Sequence, residues 1–355
     1  APSLCGVCLA LCLAQQLVGS CATRAPPRLL LLTCGAVAAT DASRAASGAA
    51  HGGAWGFARV LRLEHTGMHT RSADATRGAS VISLLASAAE AEVAWRGGAR
   101  CAARLRACEA VSAPSRAFSC GLYSITGGLG GLGLRAAALL VEGGAVGVVL
   151  SSRSGRVVRD GQGLAAQLAS LSSNAVVAAG DVGDALDAGF VAFGGALGGV
   201  LHAAGVLRDK VLRAMTAFDL VASLAPKSAS ASHVQNALTH QPLEALGLFS
   251  SIASTFGNLG QGNYAAANSY LDSLALSRRG RGSVGSSLQI PAVGGAGMGA
   301  TTFDSAQLDA MGGISLDAFA AVLLSSLAPV RAAAESVLAP LAPRLLEVVG
   351  ATSAL

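Results

Sequence analysis

From residue 119 onward, short apolar runs alternate with Ala-rich stretches of helical period. Leu122–Thr126, Val146–Ser151, Ala175–Ala179, Gly199–His202, Leu246–Ser250 and Ser287–Ile290 are bounded by Gly, Ser, Asp or Pro and read as buried strands. Leu134–Glu142 and Tyr264–Leu276 read as helices. Regular strand–helix alternation predicts an α/β fold, a doubly wound parallel sheet with helices on both faces. The tail, Gly313–Leu355, predicts one or two further helices, Leu316–Leu327 and then Val330–Leu338, and a loose end.

Residues 1–118 predict a separate, smaller α/β unit. A helix over Leu4–Val18 leads through Pro26-Pro27 to a strand over Leu29–Cys34. Ala54–His65 has its apolar residues at helical spacing, which makes Trp55 a core residue and His65 a helix end. Ala91–Leu105 reads as two strands around Gly97-Gly98. This half has no glycine loop for phosphate, so it is expected to be structural.

Composition narrows the function classes. The chain has 355 residues, 52% of them hydrophobic, enough for one large or two medium domains. It starts at Ala1 and reads as a piece of a longer polypeptide. The net charge of +5 is scattered. Neither the Arg153, Arg156, Arg159 group nor the Arg278–Arg281 group is interleaved with aromatics, so no nucleic-acid partner is expected. Cys5, Cys8, Cys12, Cys21, Cys34, Cys101, Cys108 and Cys120 all fall in the first third. The first three lie at i, i+3, i+7 with no His nearby, which predicts buried free thiols in a reducing, intracellular compartment and no metal site. The N-terminal run lacks a basic n-region, and Gln15-Gln16 interrupts it, so it reads as a helix and not a signal peptide. No segment is apolar over the ~20 residues of a membrane span.

Lysine is the informative scarcity: of 25 basic residues only Lys210 and Lys227 are lysines. Tyrosine is nearly as rare, at Tyr123, Tyr264 and Tyr270. Ser251 ends a predicted strand, Tyr264 lies on the next predicted helix, and Asn268 follows one turn later. A hydroxyl pair so placed can bracket a carbonyl, and a capping serine with a packed tyrosine is the plainer alternative. Thr126-Gly127-Gly128-Leu129-Gly130-Gly131-Leu132-Gly133 holds G-x-G-x-x-G at Gly128, Gly130 and Gly133, between a strand and a helix. Such glycines let backbone N–H groups approach a pyrophosphate at the helix N-terminus, the Rossmann arrangement. The next strand ends in Ser152-Arg153, where a guanidinium favours the 2′-phosphate of NADP, unless Arg153 is simply a surface residue. Asp181 and Val182 follow the third strand, at a place suited to adenine. His202 ends the fourth, and Ala203, Ala204 and Gly205 are small enough to let a cofactor lie against the backbone.

Together TGGLGGLG, SSRSG, GDV, LHAAGVLRD, PK, FSSIAS and GQGNYAAANSYLD resemble the ketoreductase domains of polyketide synthases, in the short-chain dehydrogenase/reductase superfamily. AWGFARVLRLEH and VAWRGGARCAARL resemble the family's structural subdomain, a truncated Rossmann-like unit without cofactor. The resemblance implies a division into residues 1–118 and a catalytic Rossmann-like unit, residues 119–355, with a lid over 291–312. Most short-chain reductases have a lysine four residues after the tyrosine. Here that place holds Asn268 and a lysine stands at Lys227, an exchange that marks polyketide and related fatty-acid synthase ketoreductases.

The resemblance therefore implies the tetrad Lys227, Ser251, Tyr264 and Asn268, with NADPH as hydride source. Tyr264 would donate the proton, Ser251 would hydrogen-bond the same oxygen, Lys227 would lower the phenol's pKa, and Asn268 would hold Lys227 or a water. The expected substrate is a β-ketoacyl thioester on the phosphopantetheine of an acyl carrier protein, with other synthase domains as neighbours. Asp209 of Leu207-Arg208-Asp209 and Leu248, which stands where some members have Trp, would orient it. They resemble the Asp-marked type that gives a D hydroxyl, although Arg208 replaces an Asp and Asp209 also reads as a helix N-terminal carboxylate. Pro291–Ala300, with Met298, resembles the cofactor-covering loop. Ser230 stands where glycine is common. A redox-inactive or epimerising module and a stand-alone dehydrogenase are the rival readings.

Overall fold

The structure, a computed structural model, describes residues 1–20, 27–37, 49–75, 90–96, 99–105, 121–157, 162–192, 197–302, 304–310, 312–327 and 337–338. In chain order its first elements are α1 (Leu4–Ser20), β1 (Arg28–Thr33), α2 (Gly52–Glu64), β2 (His69–Ala75), β3 (Glu92–Arg96) and β4 (Ala99–Cys101). Next come β5 (Leu122–Thr126), α3 (Gly131–Glu142), β6 (Gly147–Ser152), α4 (Leu164–Ser170), β7 (Ala175–Ala179) and β8 (Leu197–His202). The chain continues through α5 (Ala217–Leu224), a π-helical turn (Ala225–Ala229), α6 (Ser230–Ala237), β9 (Ala245–Ser251), α7 (Ala253–Phe256) and α8 (Gly262–Gly280). It ends with β10 (Ser286–Ile290), α9 (Gly297–Thr302), α10 (Ser305–Ala310), α11 (Leu316–Leu327) and β11 (Val337–Leu338).

Contacts divide the chain into two compact units that do not follow the expected boundary at residue 118. One contains Ala1–Ala107, Val206–Ala229 and Ile252–Ser283, and the other contains Cys108–Gly205, Ser230–Ser251 and Val284–Leu355. Two later segments thus cluster with the N-terminal third, because α5 and α8 supply apolar side chains to its core.

The sheet unit is a parallel, seven-stranded sheet in the order β11-β10-β9-β8-β5-β6-β7. Strands β8, β9 and β10 are buried along their whole length, as the apolar runs require when helices cover both faces. Tyr123, Ile125, Leu134, Leu150 and Leu201 fill the core, and Phe249 meets Phe319 of α11 edge to face at 5.7 Å. The order reverses between β5 and β8, so Thr126 and His202 stand side by side at the switch point. The expected terminal helix over Val330–Leu338 is corrected at its end: Val337–Leu338 pair with β10. The rest of that stretch lies outside the described residues.

The other unit has a sheet β1-β2-β3-β4, parallel except for the last pair. The turn expected at Gly97-Gly98 lies outside the described residues. Strand β2 has no apolar run and was not foreseen. Its Asp74 is buried because Thr33 Oγ1 donates to it at 2.8 Å and the Ala36 N–H at 3.0 Å. Val7, Leu11, Phe57, Val60, Leu61, Leu212, Leu220, Leu224 and Ala265–Ala267 form this unit's core. Helix α2 crosses α8 so closely that a Cβ at Gly56 would fall on the Ala265 carbonyl. Trp55 is buried and donates to Thr33 Oγ1 at 3.0 Å, and His65 caps the end of α2, both as expected.

The expectation of buried thiols is corrected. Cys5, Cys12, Cys34 and Cys101 are exposed and Cys8 is half-buried, while Cys21, Cys108 and Cys120 lie outside the described residues. α1 turns Val7, Ala10, Leu11 and Ala14 inward. That stripe and the cysteine stripe are both apolar at helical spacing, and the larger aliphatic pair won the core. Among the described residues, no group of three His, Cys, Asp or Glu side chains is placed to hold a metal. No described helix is long and apolar enough to cross a membrane.

Candidate active site

The glycine loop belongs to the sheet unit. Its backbone folds back on the ends of β5, β6 and β8: the Ala203 N–H donates to the Thr126 carbonyl at 2.9 Å and the Gly128 N–H to that of Ser151 at 3.0 Å. Gly127 has φ +68°, and a Cβ there would lie 2.7 Å from the Ala204 N and Cα atoms. Only glycine fits both demands. A Cβ at Gly133 would lie 2.6 Å from the Gly127 carbonyl oxygen. Gly130 is the N-cap of α3 and Gly131 its first residue, so the loop delivers free N–H groups at a helix N-terminus. Leu129 is buried, and Leu132 packs against the core. Side-chain-free backbone at the switch point fits a dinucleotide pyrophosphate.

The other expected cofactor residues occupy the same sheet ends. Ser152 closes β6, and its buried hydroxyl finds no hydrogen-bond partner among the described residues. Arg153 follows and is exposed. Asp181 is exposed and accepts from the Gly183 N–H at 2.9 Å, while Val182 is buried. His202 is wholly buried: Nδ1 meets Thr126 Oγ1 at 2.6 Å and Nε2 meets Ser230 Oγ at 3.2 Å. Ser230, seen in sequence only as a departure from glycine, thus completes a buried Thr–His–Ser chain behind the loop. Ser251 is the last residue of β9, buried and in register with Ile290. Leu248 is buried on the same strand, opposite His202.

The Gly-rich stretch expected to be a mobile lid folds, within this unit, into α9 and α10. Gln162 clasps it, donating to the Gly297 carbonyl and accepting from its N–H, each at 3.2 Å. Met298 is half-buried on α9.

The remaining residues belong to the other unit. α5 begins at a capping box, Thr216 with Asp219, and runs directly into the π-helical turn that holds Pro226 and Lys227. The wider turn suits Pro226, which has no N–H for a regular helical bond. Ser228 Oγ donates to the Ala267 carbonyl at 3.1 Å and so pins the turn to α8. Lys227 Nζ lies 5.5 Å from the centre of the Tyr264 ring. The side chain is only 3% exposed, and burial drives its pKa down from 10.5 to about 7, with the Asp272 carboxylate acting in the opposite sense. Asn268 is fully buried and donates to the Tyr264 carbonyl one turn back, at 2.8 Å. The structure thus brings Lys227, Tyr264 and Asn268 together.

Asp209 lies in an irregular segment, exposed, and accepts from Gln261 Nε2 at 2.9 Å. No helix begins at it, which removes the reading of a helix N-terminal carboxylate. Sequence reasoning missed Asp272 and Ser254. Asp272 is buried, and Ser254 Oγ donates to it at 2.6 Å. The available signal was spacing, since Tyr264, Asn268 and Asp272 fall at i, i+4, i+8 on one helix face.

Residues 121–295 match the family model described as KR domain. Polyketide synthase GfsA of Streptomyces halstedii is 37% identical over 270 residues, which is 74% of this chain and 4% of that protein. Pikromycin polyketide synthase component PikAIII of Streptomyces venezuelae is 35% identical over 260 residues, 69% of this chain and 16% of that one. The chain therefore spans a small part of these relatives. Among solved structures, an A-type ketoreductase from a modular polyketide synthase superimposes with TM-score 0.77 at 31% identity, covering 94% of this chain and 72% of that one. The first ketoreductase of the tylosin synthase gives TM-score 0.81 at 28% identity, covering 97% and 76%.

Proposed function

The chain belongs to the ketoreductase domains of polyketide synthases, in the short-chain dehydrogenase/reductase superfamily, and on that premise we propose that it reduces a β-ketoacyl thioester to the β-hydroxyacyl thioester with NADPH. The substrate in this reading is tethered through phosphopantetheine to an acyl carrier protein, and other synthase domains are its neighbours in a longer intracellular polypeptide. The observation that carries the proposal is the pairing of the chain's buried Lys227 with the Tyr264 ring.

In this reading the Gly127–Gly133 backbone and the N-terminus of α3 would hold the pyrophosphate, and Ser152 and Arg153 would take the 2′-phosphate. Asp181 and Val182 would border the adenine, and Ala203–Gly205 would let the cofactor lie against the backbone. The nicotinamide, when bound, supplies the hydride. Tyr264 Oη gives its proton to the alkoxide that forms. A phenol titrates near 10, so a nearby ammonium is needed to make that transfer easy at neutral pH. Lys227 is the cation beside the ring, and Asn268 fixes the helical turn that carries Tyr264. Ser251 has the role of hydrogen-bonding the same oxygen, and Asp209, Leu248 and Met298 that of orienting the substrate.

Tyr264→Phe tests this directly. NADPH oxidation with a simple β-ketothioester is expected to fall at least ~100-fold, the scale of general acid catalysis, while NADPH affinity stays within about twofold. A Phe variant as fast as the wild type sinks the mechanism. A wild type that binds NADPH yet reduces no ketone points to the redox-inactive module instead.

A further inference from the structure

One buried carboxylate on the helix that carries Tyr264 has no part in the reaction as written. Asp272 follows Tyr264 by eight residues and Asn268 by four, so the three share one face of α8. Its side chain is buried and held by the wholly buried Ser254, whose Oγ donates at 2.6 Å. The Ser254 carbonyl in turn accepts from the Arg59 guanidinium. Arg59 is fixed by Glu92 of β3, at 2.8 Å through Nε and 2.6 Å through Nη2, and lies over the Trp55 ring. A buried carboxylate needs a compensating cation or donors. The turn that holds the buried Lys227 is pinned to α8 between Tyr264 and Asp272, by Ser228 Oγ on the Ala267 carbonyl at 3.1 Å, and Lys227 Nζ lies 5.5 Å from the centre of the Tyr264 ring.

We propose that Asp272 is the positioning residue that keeps Lys227 an ammonium directed at Tyr264, with Ser254 fixing the carboxylate and Arg59 fixing Ser254. The proposal rests on the reading of Lys227 and Tyr264 as the reductase's acid pair. It extends that site into the N-terminal third of the chain, which supplies Arg59 and Glu92.

Other charged groups stand on the elements around this turn, and those of α5 and α2 have partners of their own. α5 brings Asp219, bound to Lys210 at 2.9 Å. α2 brings Arg59 and Arg62, both on Glu92, and Glu64, which accepts from the Leu212 and Gly260 N–H groups. α8 itself carries Tyr264, Tyr270, Arg278 and Arg279 besides Asp272. The Asp272 carboxylate raises the pKa of Lys227 against the larger, opposite effect of burial.

Having two lysines makes the test clean. With 13Cε-lysine labelling of the whole chain, Lys210 and Lys227 give two resonances, and Lys210→Arg assigns them. Asp272→Asn is expected to move the Lys227 titration midpoint down by about one pH unit, the usual size of a close-charge effect. The alkaline limb of kcat/KM should move with it, and Asp272→Glu should restore both in part. Ser254→Ala should shift the midpoint the same way by less, and it covers the case in which the Asn variant does not fold. A Lys227 midpoint that stays in place in the folded variants overturns the proposal, as does an alkaline limb that stays while the midpoint moves. Loss of turnover already in the wild type would overturn the reductase reading and leave the Lys227 midpoint to decide the role of Asp272.

Discussion

Lys227 carries its charge in a place where water gives it little help. Burial lowers its pKa to about 7, and Asp272 limits the fall. The ammonium is therefore lost as pH rises through about 7, and with it the positive charge on which the proposed mechanism relies to make the Tyr264 phenol a usable acid. For the free enzyme, log kcat/KM with a simple β-ketothioester is expected to be level below about pH 7 and to fall with unit slope above it. A profile flat to pH 10 would show that Lys227 keeps its proton or does not matter. The same residue shows the reach of sequence reading. Scarcity singled Lys227 out, but only family resemblance tied it to Tyr264, since no periodicity links a π-helical turn to a helix 37 residues later in the numbering. Asp272 escaped notice for a related reason. Its face on α8 was legible, but its neighbour Ser254 comes from another element.

Helix α8 acts as the pedestal for Tyr264, and α2 is its support. The fit depends on glycine: a Cβ at Gly56 meets the Ala265 carbonyl and one at Gly52 meets Ser273 Oγ. Gly56→Ala is expected to destabilise the chain by up to about 2 kcal/mol, since overpacking against backbone costs up to about 3 kcal/mol and the gain in helix propensity recovers roughly 1. Urea unfolding checks this, with Gly19→Ala as control, because its Cβ meets open space. An equal or higher midpoint for the Gly56 variant would mean that α2 and α8 are not held at this distance. Element existence was largely legible here. The bounds of β5, β7 and α11 agree with the pattern to the residue, because an apolar run and its flanking turn residues point the same way, although β7 is an exposed edge strand and not the buried one expected. β2 was invisible because His69–Ala75 is polar, and its burial is compensated by hydrogen bonds that sequence does not display. α1 was found but turned the wrong way, because it is apolar on more than one side.

At the scale of the molecule, the family motif and the folding unit are different objects. The motif lies in residues 121–295, but Val7, Leu11, Phe57, Val60 and Leu61 belong to the same core as Leu220 and Ala265. A fragment of residues 121–355 retains every proposed catalytic residue and is expected to unfold without a cooperative transition, with weak near-UV dichroism. A sharp two-state melt of that fragment would show that the first third is dispensable. Sequence alone placed the divide at residue 118 because patterns are read in chain order, whereas burial pairs segments regardless of order.

That interleaving has a consequence for how the protein is made. Gln15 bonds the carbonyls of Leu212 and Met215, 197 and 200 residues further along, and Glu64 holds the Gly260 N–H across 196. On the ribosome, at about 5–20 residues per second, the first two helices wait roughly 10–40 s for the segments that cover them. During that interval their oily sides have no partner segment to cover them, so slower translation of the stretch between is expected to lengthen the exposure of apolar surface to other chains.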